Sequence, residues 1–397
     1  MAFNVSKQLF IQTEEQRQWL AKLETLKDSF TENALEIDEQ STFPFDNFKK
    51  LREIGYTKIT LPKQYGGSGF TVYDTVLLHE TLASYCGSTG LAASWTIQNI
   101  GEIFENRYWE PTKLEWFAKE VNNGATVNRA VSEFAMGSPI RGGKPATTAK
   151  RQGDVYVING RKNYTSGAPD LDYFLVSAWI EEDNHLGFFL VPKTAAGVSV
   201  ENTWDVASMR GTGSDDLVLD NVRVELSNLV EIPSYSTGFK LNGWLLLIPA
   251  TYLGIAQAAR DYAVNFATSH SPNSIEGTIA QLPNVQSLIG EMDLALTRAR
   301  FTIYGVAQLY NDPSKKAEIM NEVNIAKHVV TNTAIEVVDK AMRLVGAKSL
   351  QRSNPLQRYY RDVRAGLHNP PMDDLTIKRL ADAAIEQSLK QKELLER

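Results

Sequence analysis

Gly153-Asp-Val-Tyr-Val-Ile-Asn-Gly-Arg-Lys162, followed at once by Asn163-Tyr-Thr-Ser-Gly-Ala168, is the stretch on which the fold turns. Asp154–Ile158 has the β-branched and aromatic composition of a strand. It is bracketed by two turn signals, Arg151-Gln-Gly-Asp154 and Asn159-Gly160, since Asn-Gly tolerates positive φ. Working outward, Thr147–Lys150, Tyr173–Ile180, Leu186–Val191 and Leu217–Val224 share the strand composition. No helical segment separates them, which predicts an antiparallel barrel or sandwich over residues 125–232.

The flanks read as helix, so the class is α+β. Residues 1–124 form a predicted N-terminal helical domain. There Phe43, Phe45, Phe48 and Leu51 recur near helical spacing, and Gly55 suits a helix C-cap. Leu61-Pro-Lys-Gln-Tyr-Gly-Gly-Ser-Gly-Phe70 reads as an interhelix loop; its glycines lack the G-x-G-x-x-G spacing of a dinucleotide site. Residues 233–397 form a predicted C-terminal helical domain. Val323, Ala326, Val330, Ala334, Val337, Ala341 and Leu344 step along one long helix, with His328 a surface or packing residue in it. Ser353-Asn-Pro355 and Asn369-Pro-Pro371 interrupt the pattern, and Asp373 and Asp374 stand where an N-cap is wanted.

The chain has 397 residues, 43% hydrophobic and 22% charged, as expected of a soluble globular protein of two or three domains. A formal charge of −6 argues against nucleic-acid and anionic-membrane partners. Cys86 is the single cysteine, so an intrachain disulfide and a cysteine metal site are excluded, which fits a reducing cytoplasm. No metal site is expected. Met1-Ala-Phe-Asn-Val-Ser-Lys7 has no basic region followed by an apolar run, so no signal peptide is expected. Leu241–Ala259 is uncharged, but Asn242, Pro249, Thr251 and Gln257 make it a buried bundle helix in this reading.

Four motifs in order resemble those of the acyl-CoA dehydrogenase superfamily of flavoproteins. They are Leu61-Pro-Lys-Gln-Tyr-Gly-Gly-Ser-Gly69, Val131-Ser-Glu-Phe-Ala-Met-Gly-Ser138, Gly153–Lys162 and Tyr359-Tyr-Arg-Asp-Val363; a further element, Arg343-Leu-Val-Gly-Ala347, departs from the family by carrying Arg343 in place of its glutamine. The resemblance covers nearly the whole chain. It implies a C-terminal four-helix bundle, one FAD per subunit, a homotetramer, an acyl-CoA substrate and an electron-transfer partner. By position it implies that Val131, Ser132, Gly137 and Ser138 lie along the flavin. Tyr164 and Ser166 take the places of the family's tryptophan and threonine against the isoalloxazine, while Arg343 and Gly346 stand in its phosphate-proximal element.

Family dehydrogenases abstract the α-proton of a thioester with a glutamate. The two positions that carry it fall here on Pro370 and Trp244, neither a carboxylate. Asp373 could supply a base from a slipped loop, or cap the following helix. The element that reaches a neighbouring subunit's pyrophosphate is replaced by Ser269-His-Ser-Pro-Asn-Ser274. Two further motifs, Met209-Arg-Gly-Thr-Gly-Ser214 and Leu367-His-Asn-Pro370, resemble those of the flavin-dependent monooxygenases of the superfamily. Those enzymes use reduced flavin, FMN or FAD, delivered by a reductase, together with O2. His368 would then be a proton donor, a role an imidazole suits, or a loop histidine bonded to its own backbone. Acyl-CoA dehydrogenation is the first reading, because the resemblance over the whole chain implies it; flavin-dependent monooxygenation is the alternative, and flavin binding without turnover the third.

Overall fold

The computed structural model describes residues 5–134, 144–233 and 242–395. The first block is α1 (Val5–Gln8), α2 (Glu14–Glu24), α3 (Lys27–Gln40), α4 (Phe45–Glu53), α5 (Val72–Tyr85), α6 (Gly87–Asn106) and α7 (Pro111–Asn122). Local side-chain bonds set where two of them begin. Thr13 and Thr71 each accept an N–H from three residues on, and the side chains of Gln16 and Asp74 return to the cap's own N–H. The Leu61–Gly69 stretch is an interhelix loop, closed by a 2.8 Å bond from Gly69 N–H to the Leu61 carbonyl.

The middle block holds β1 (Val127–Ala130), β2 (Thr148–Gln152), β3 (Val155–Lys162), β4 (Tyr173–Ile180), β5 (His185–Pro192), β6 (Val198–Glu201), β7 (Asp216–Glu225) and β8 (Leu229–Glu231). They form one sheet in the order β6-β7-β3-β2-β4-β5-β8, with β1 on β4. The sheet is sandwich-like rather than a closed barrel: its end strands β6 and β8 are not paired to each other. Nor is it wholly antiparallel. β1 runs parallel to β4 at Tyr173–Val176, and β2 runs parallel to it at Trp179–Ile180. Asn159-Gly160 is also not the expected turn. It lies inside β3, at a bulge where the register with β7 slips between Ile158 and Gly160. Glycine is needed there because a Cβ would sit 2.7 Å from the Cα of Thr147, just before β2.

The last block is α8 (Leu247–Ser269), α9 (Pro283–Asn311), α10 (Met320–Val345), α11 (Pro355–Asp362) and α12 (Asp373–Leu395). A single 3-10 turn, Gly243–Leu246, leads into α8. No described helix is long and apolar enough to cross a membrane. α8, α9 and α10 pack on one another, and α8 and α9 pack also on α5 from the first block. The α5–α8 approach is tight: a Cβ on Gly254 would lie 2.4 Å from the Glu80 carbonyl. Buried Glu80 is held by Arg300 (2.7 Å) and Tyr304 (2.6 Å). Buried His79, next to it, bonds Tyr56 and Thr251, and burial pushes its pKa down to about 3, so it stays neutral. α12 leans on the bundle by its first turns; every residue from 381 to 395 is exposed.

The two helical blocks therefore share one core, with Phe30, Leu51 and Leu78 in the same cluster as Tyr252, Ile255 and Ala334. The sheet has its own, around Ile158, Phe174, Phe189 and Val222. A third cluster (Ile100, Phe117, Val127, Leu175, Leu190) joins α6 and α7 to the sheet.

Candidate active site

The loop that follows β3 is stitched to the segment before β7. Thr165 N–H donates to the Asp215 carbonyl (3.2 Å), Gly167 N–H to Thr212 (2.9 Å) and Ala168 N–H to Gly213 (3.2 Å). Asn163 N–H donates to the Ser132 carbonyl at 2.9 Å, tying the same loop to the chain leaving β1. Side chains continue the stitching. Ser166 Oγ is 2.8 Å from Ser214 Oγ, which is 2.8 Å from Thr212 Oγ1. Asn128 Nδ2 on β1 donates to the Ser166 carbonyl (2.9 Å), and its Oδ1 accepts from Asn99 of α6 (3.2 Å). α6, β1 and this loop thus meet in one polar wall.

Among the described residues, two buried atoms of that loop, Asn163 Oδ1 and Thr165 Oγ1, have no hydrogen-bond partner, and neither have Trp95 Nε1 and Gln98 Oε1 on α6. Buried polar groups without partners are rare and ask for a reason. Tyr164 sits in the same loop with φ +56 and is 63% exposed. An exposed aromatic ring beside unpartnered donors and acceptors fits a flat aromatic ligand with a polar edge, as an isoalloxazine is. Those residues could hold a flavin by stacking and by hydrogen bonds to its polar rim.

The remaining sequence-predicted residues fall as follows. Val131 and Ser132 are half-buried at the end of β1, beside the wall. Gly137 and Ser138 lie outside the described residues. The start of their segment is held by Glu133, which accepts N–H bonds from Ala146 (2.6 Å) and Thr147 (3.1 Å) and a 2.6 Å bond from Lys162 Nζ. Arg343 and Gly346 come together on the rim of a surface pocket of about 590 Å³. The residues lining it do not include the 163–168 loop. Arg343 is exposed and its Nε bonds Asp339 at 2.6 Å.

His368 ends the 3-10 turn after α11; its backbone N–H bonds the Ala365 carbonyl and its side chain is exposed. Asp373 opens α12. Its carboxylate accepts from Asn332 (2.9 Å) and lies 3.2 Å from His328 Nδ1 and 3.5 Å from Lys327 Nζ. Burial acts to raise its pKa, but these partners together hold it below the usual aspartate value. Trp244 is buried against Gly101 of α6, and its Nε1 donates to Glu105 at 2.5 Å.

Sequence reasoning did not single out Asn128, Ser214, Asn99, Trp95, Gln98 or Thr165. Ser214 and Thr165 stood inside quoted motifs; the α6 residues carried no signal except small neighbours that imply close packing. Among the described residues, no cluster of three His, Cys, Asp or Glu side chains could hold a metal ion.

The chain belongs to the acyl-CoA dehydrogenase family. Residues 13–105, 128–222 and 246–369 match the family's N-terminal, middle and C-terminal domain models. It is 52% identical over 378 residues to the Bacillus subtilis protein YdbM, covering 95% of this chain and 99% of that one; YdbM's name assigns it provisionally to the acyl-CoA dehydrogenases. Two solved structures share the fold. Butyryl-CoA dehydrogenase of Megasphaera elsdenii superposes with a TM-score of 0.83 at 20% identity, covering 97% of this chain and 100% of that one. FMN-bound TdsC of Paenibacillus sp. A11-2 does so with 0.84 at 24%, covering 93% and 98%. The class is therefore that of acyl-CoA dehydrogenase-like flavoprotein oxidoreductases.

Proposed function

We propose that this protein is a flavin-dependent monooxygenase built on the acyl-CoA dehydrogenase fold, binding reduced flavin at the wall formed by Asn128, Thr165, Ser166 and Ser214. One observation carries the reading: neither position that would hold the dehydrogenase base offers a carboxylate. Pro370 has no ionisable group, and Trp244 is locked between Gly101 and Glu105. The nearby carboxylates have other work. Asp373 is engaged by Asn332, His328 and Lys327, Glu105 by Trp244 and Tyr310, and Glu102 by Asn242 and Arg129. A base tied to two or three donors is a poor proton acceptor.

When bound reduced, the flavin supplies the electron pair that turns substrate and O2 into an oxygenated product and water. The protein's own part is positioning and proton supply. Ser166 and Asn128 hold the wall's geometry, the unpartnered Thr165 hydroxyl is a donor for polar ligand atoms, and Tyr164 covers an aromatic face. His368 is the proton donor in this reading. FMN suffices for it: Arg343, the residue nearest the role of holding FAD's distal phosphate, is already paired with Asp339. A flavin reductase would be the partner, and a homotetramer the assembly.

Dehydrogenation of an acyl-CoA, with FAD, Asp373 as base and an electron-transfer protein as acceptor, is the second reading. The 52% identity to YdbM favours it. The two part in an anaerobic titration of the flavin-loaded protein with acyl-CoA thioesters of several chain lengths. We expect no bleaching of the flavin; stoichiometric bleaching by any one thioester would end the monooxygenase reading. With reduced FMN and O2, His368→Gln should lower substrate-coupled oxygen use by about 10²-fold or more, the usual contribution of a positioned proton donor. Unchanged coupling would remove His368 from the chemistry.

A further inference from the structure

Tyr164 holds a left-handed backbone conformation, at φ +56, that is disfavoured for a residue with a side chain. The residue is 63% exposed, so burial does not hold it in place. Its ring meets that of Trp204 edge to face, with centroids 6.1 Å apart at 83°.

Trp204 itself is fixed from several sides. Its indole Nε1 donates to the Met209 carbonyl at 3.0 Å. Its backbone N–H and that of Thr203 both donate to Asp215 Oδ1, at 3.0 and 2.9 Å. Ser41 Oγ of the first helical block reaches its carbonyl at 3.4 Å. Met209 is immobilised in turn: its N–H donates to buried Asp362 of α11 at 2.7 Å, and its carbonyl also accepts from Thr212 Oγ1 at 3.0 Å. Asp215 closes the circuit. Its side chain holds Trp204, while its carbonyl holds Thr165, the neighbour of Tyr164. The Trp204 backbone and the 163–168 loop are thus tied to one residue.

We propose that Trp204 is a positioning residue for the flavin. It fixes the Tyr164 ring in the orientation that covers the isoalloxazine face, and it acts through Tyr164. The inference rests on the flavin seat proposed above. It adds that the seat's aromatic cover is set by a second ring from a different segment, itself clamped to both helical blocks through Ser41 and Asp362.

The test uses the full-length protein, loaded with FMN and separately with FAD, and reads bound-flavin fluorescence and flavin Kd. Stacking of Tyr164 on the flavin quenches emission. Trp204→Leu is expected to restore much of that emission and to raise Kd about twofold to tenfold, the worth of one aromatic pair. Trp204→Phe keeps a ring edge and should retain the quenching. In a Tyr164→Ala background, Trp204→Leu should change neither quantity further, since the two act as a unit. If Trp204→Leu does not fold, Trp204→Met takes its place. The proposal is overturned if the ring-less variant lowers Tm but leaves emission and Kd at wild-type values, or if its effect is equally large without Tyr164. Should Tyr164→Ala alone leave both unchanged, or the wild type bind neither flavin, the seat itself is wrong and the positioning role falls with it.

Discussion

Lys162 has none of its side chain exposed, and Glu133 has 3%. Each satisfies the other at 2.6 Å, and each has further partners: Ser177 for the lysine, the Ala146 and Thr147 N–H groups for the glutamate. Breaking such a pair on one side strands a buried charge, which costs about 3–5 kcal/mol. Lys162→Met should therefore lose stability of that order, read from urea unfolding. A loss under 1 kcal/mol would mean that Glu133 takes up a proton or reaches water. Asp362 offers a pH test. Burial raises its pKa from 3.8 to about 6, against the pull of the Met209 N–H and of Arg358; Asp38 adds to the rise and Arg361 opposes it. A raised folded pKa means that the contribution to stability is full below pH 3.8 and lost as pH climbs through 6, about 3 kcal/mol in all. Carboxylates with lowered values, Glu80 and Glu133 among them, slope the other way. The quantity to read is thus the difference between wild type and Asp362→Asn. The variant should gain on the wild type between pH 4 and 7, and a flat difference would show that Asp362 is not held in this environment.

At the scale of elements, the α5–α8 contact is the most exacting in the helical core. Gly254 brings the α8 backbone within reach of the Glu80 carbonyl and Ser84 N–H, and a methyl there has nowhere to go but into α5's main chain. Gly254→Ala should cost about 1–3 kcal/mol as the helices part, seen as a drop in Tm; an unchanged Tm would show that the helices can slide. This contact also marks how far the sequence could be read. The α10 stripe from Val323 to Leu344 follows one face at a period near 3.6, so the helix was legible without its neighbours. β1, β6 and β8 were not, because strands of four, four and three residues show too little alternation to register. Their pairing is tertiary: β1 joins β4 in parallel across more than forty residues of chain. The polar wall divides the same way. Tyr164 and Ser166 stand in a motif and could be named. Asn128 and Asn99 meet in the wall only because α6 lies across β1, and nothing in their local sequence marks them.

For the whole molecule, the decisive fact is that the first helical block does not own its core. In α5 only Asp74, Thr81 and Ser84 escape burial, and much of what buries the rest is α8 and α9. Arg300 and Tyr304 of α9 are the partners of its buried Glu80. The tie is repeated at the edge, where Arg361 of α11 bonds Asp38 of α3 at 3.0 Å and the Ala207 carbonyl at 2.8 Å, and Arg210 Nε bonds the Asp38 carbonyl at 2.6 Å. Cut from the rest, residues 1–124 would expose that apolar face and leave Glu80 without its arginine. An unpaired buried carboxylate and a stripped helix face are both strongly destabilising. We therefore expect a fragment of residues 1–124 to lack a cooperative thermal transition by circular dichroism and to bind a hydrophobic dye, whereas the full chain melts its helices in one step. A fragment that melts sharply and leaves the dye dark would show that the block is a domain in its own right. The shared core would then be a docking surface, and the proposed flavin seat, which takes its wall from α6, β1 and the 163–168 loop, would be free to open as the blocks move apart.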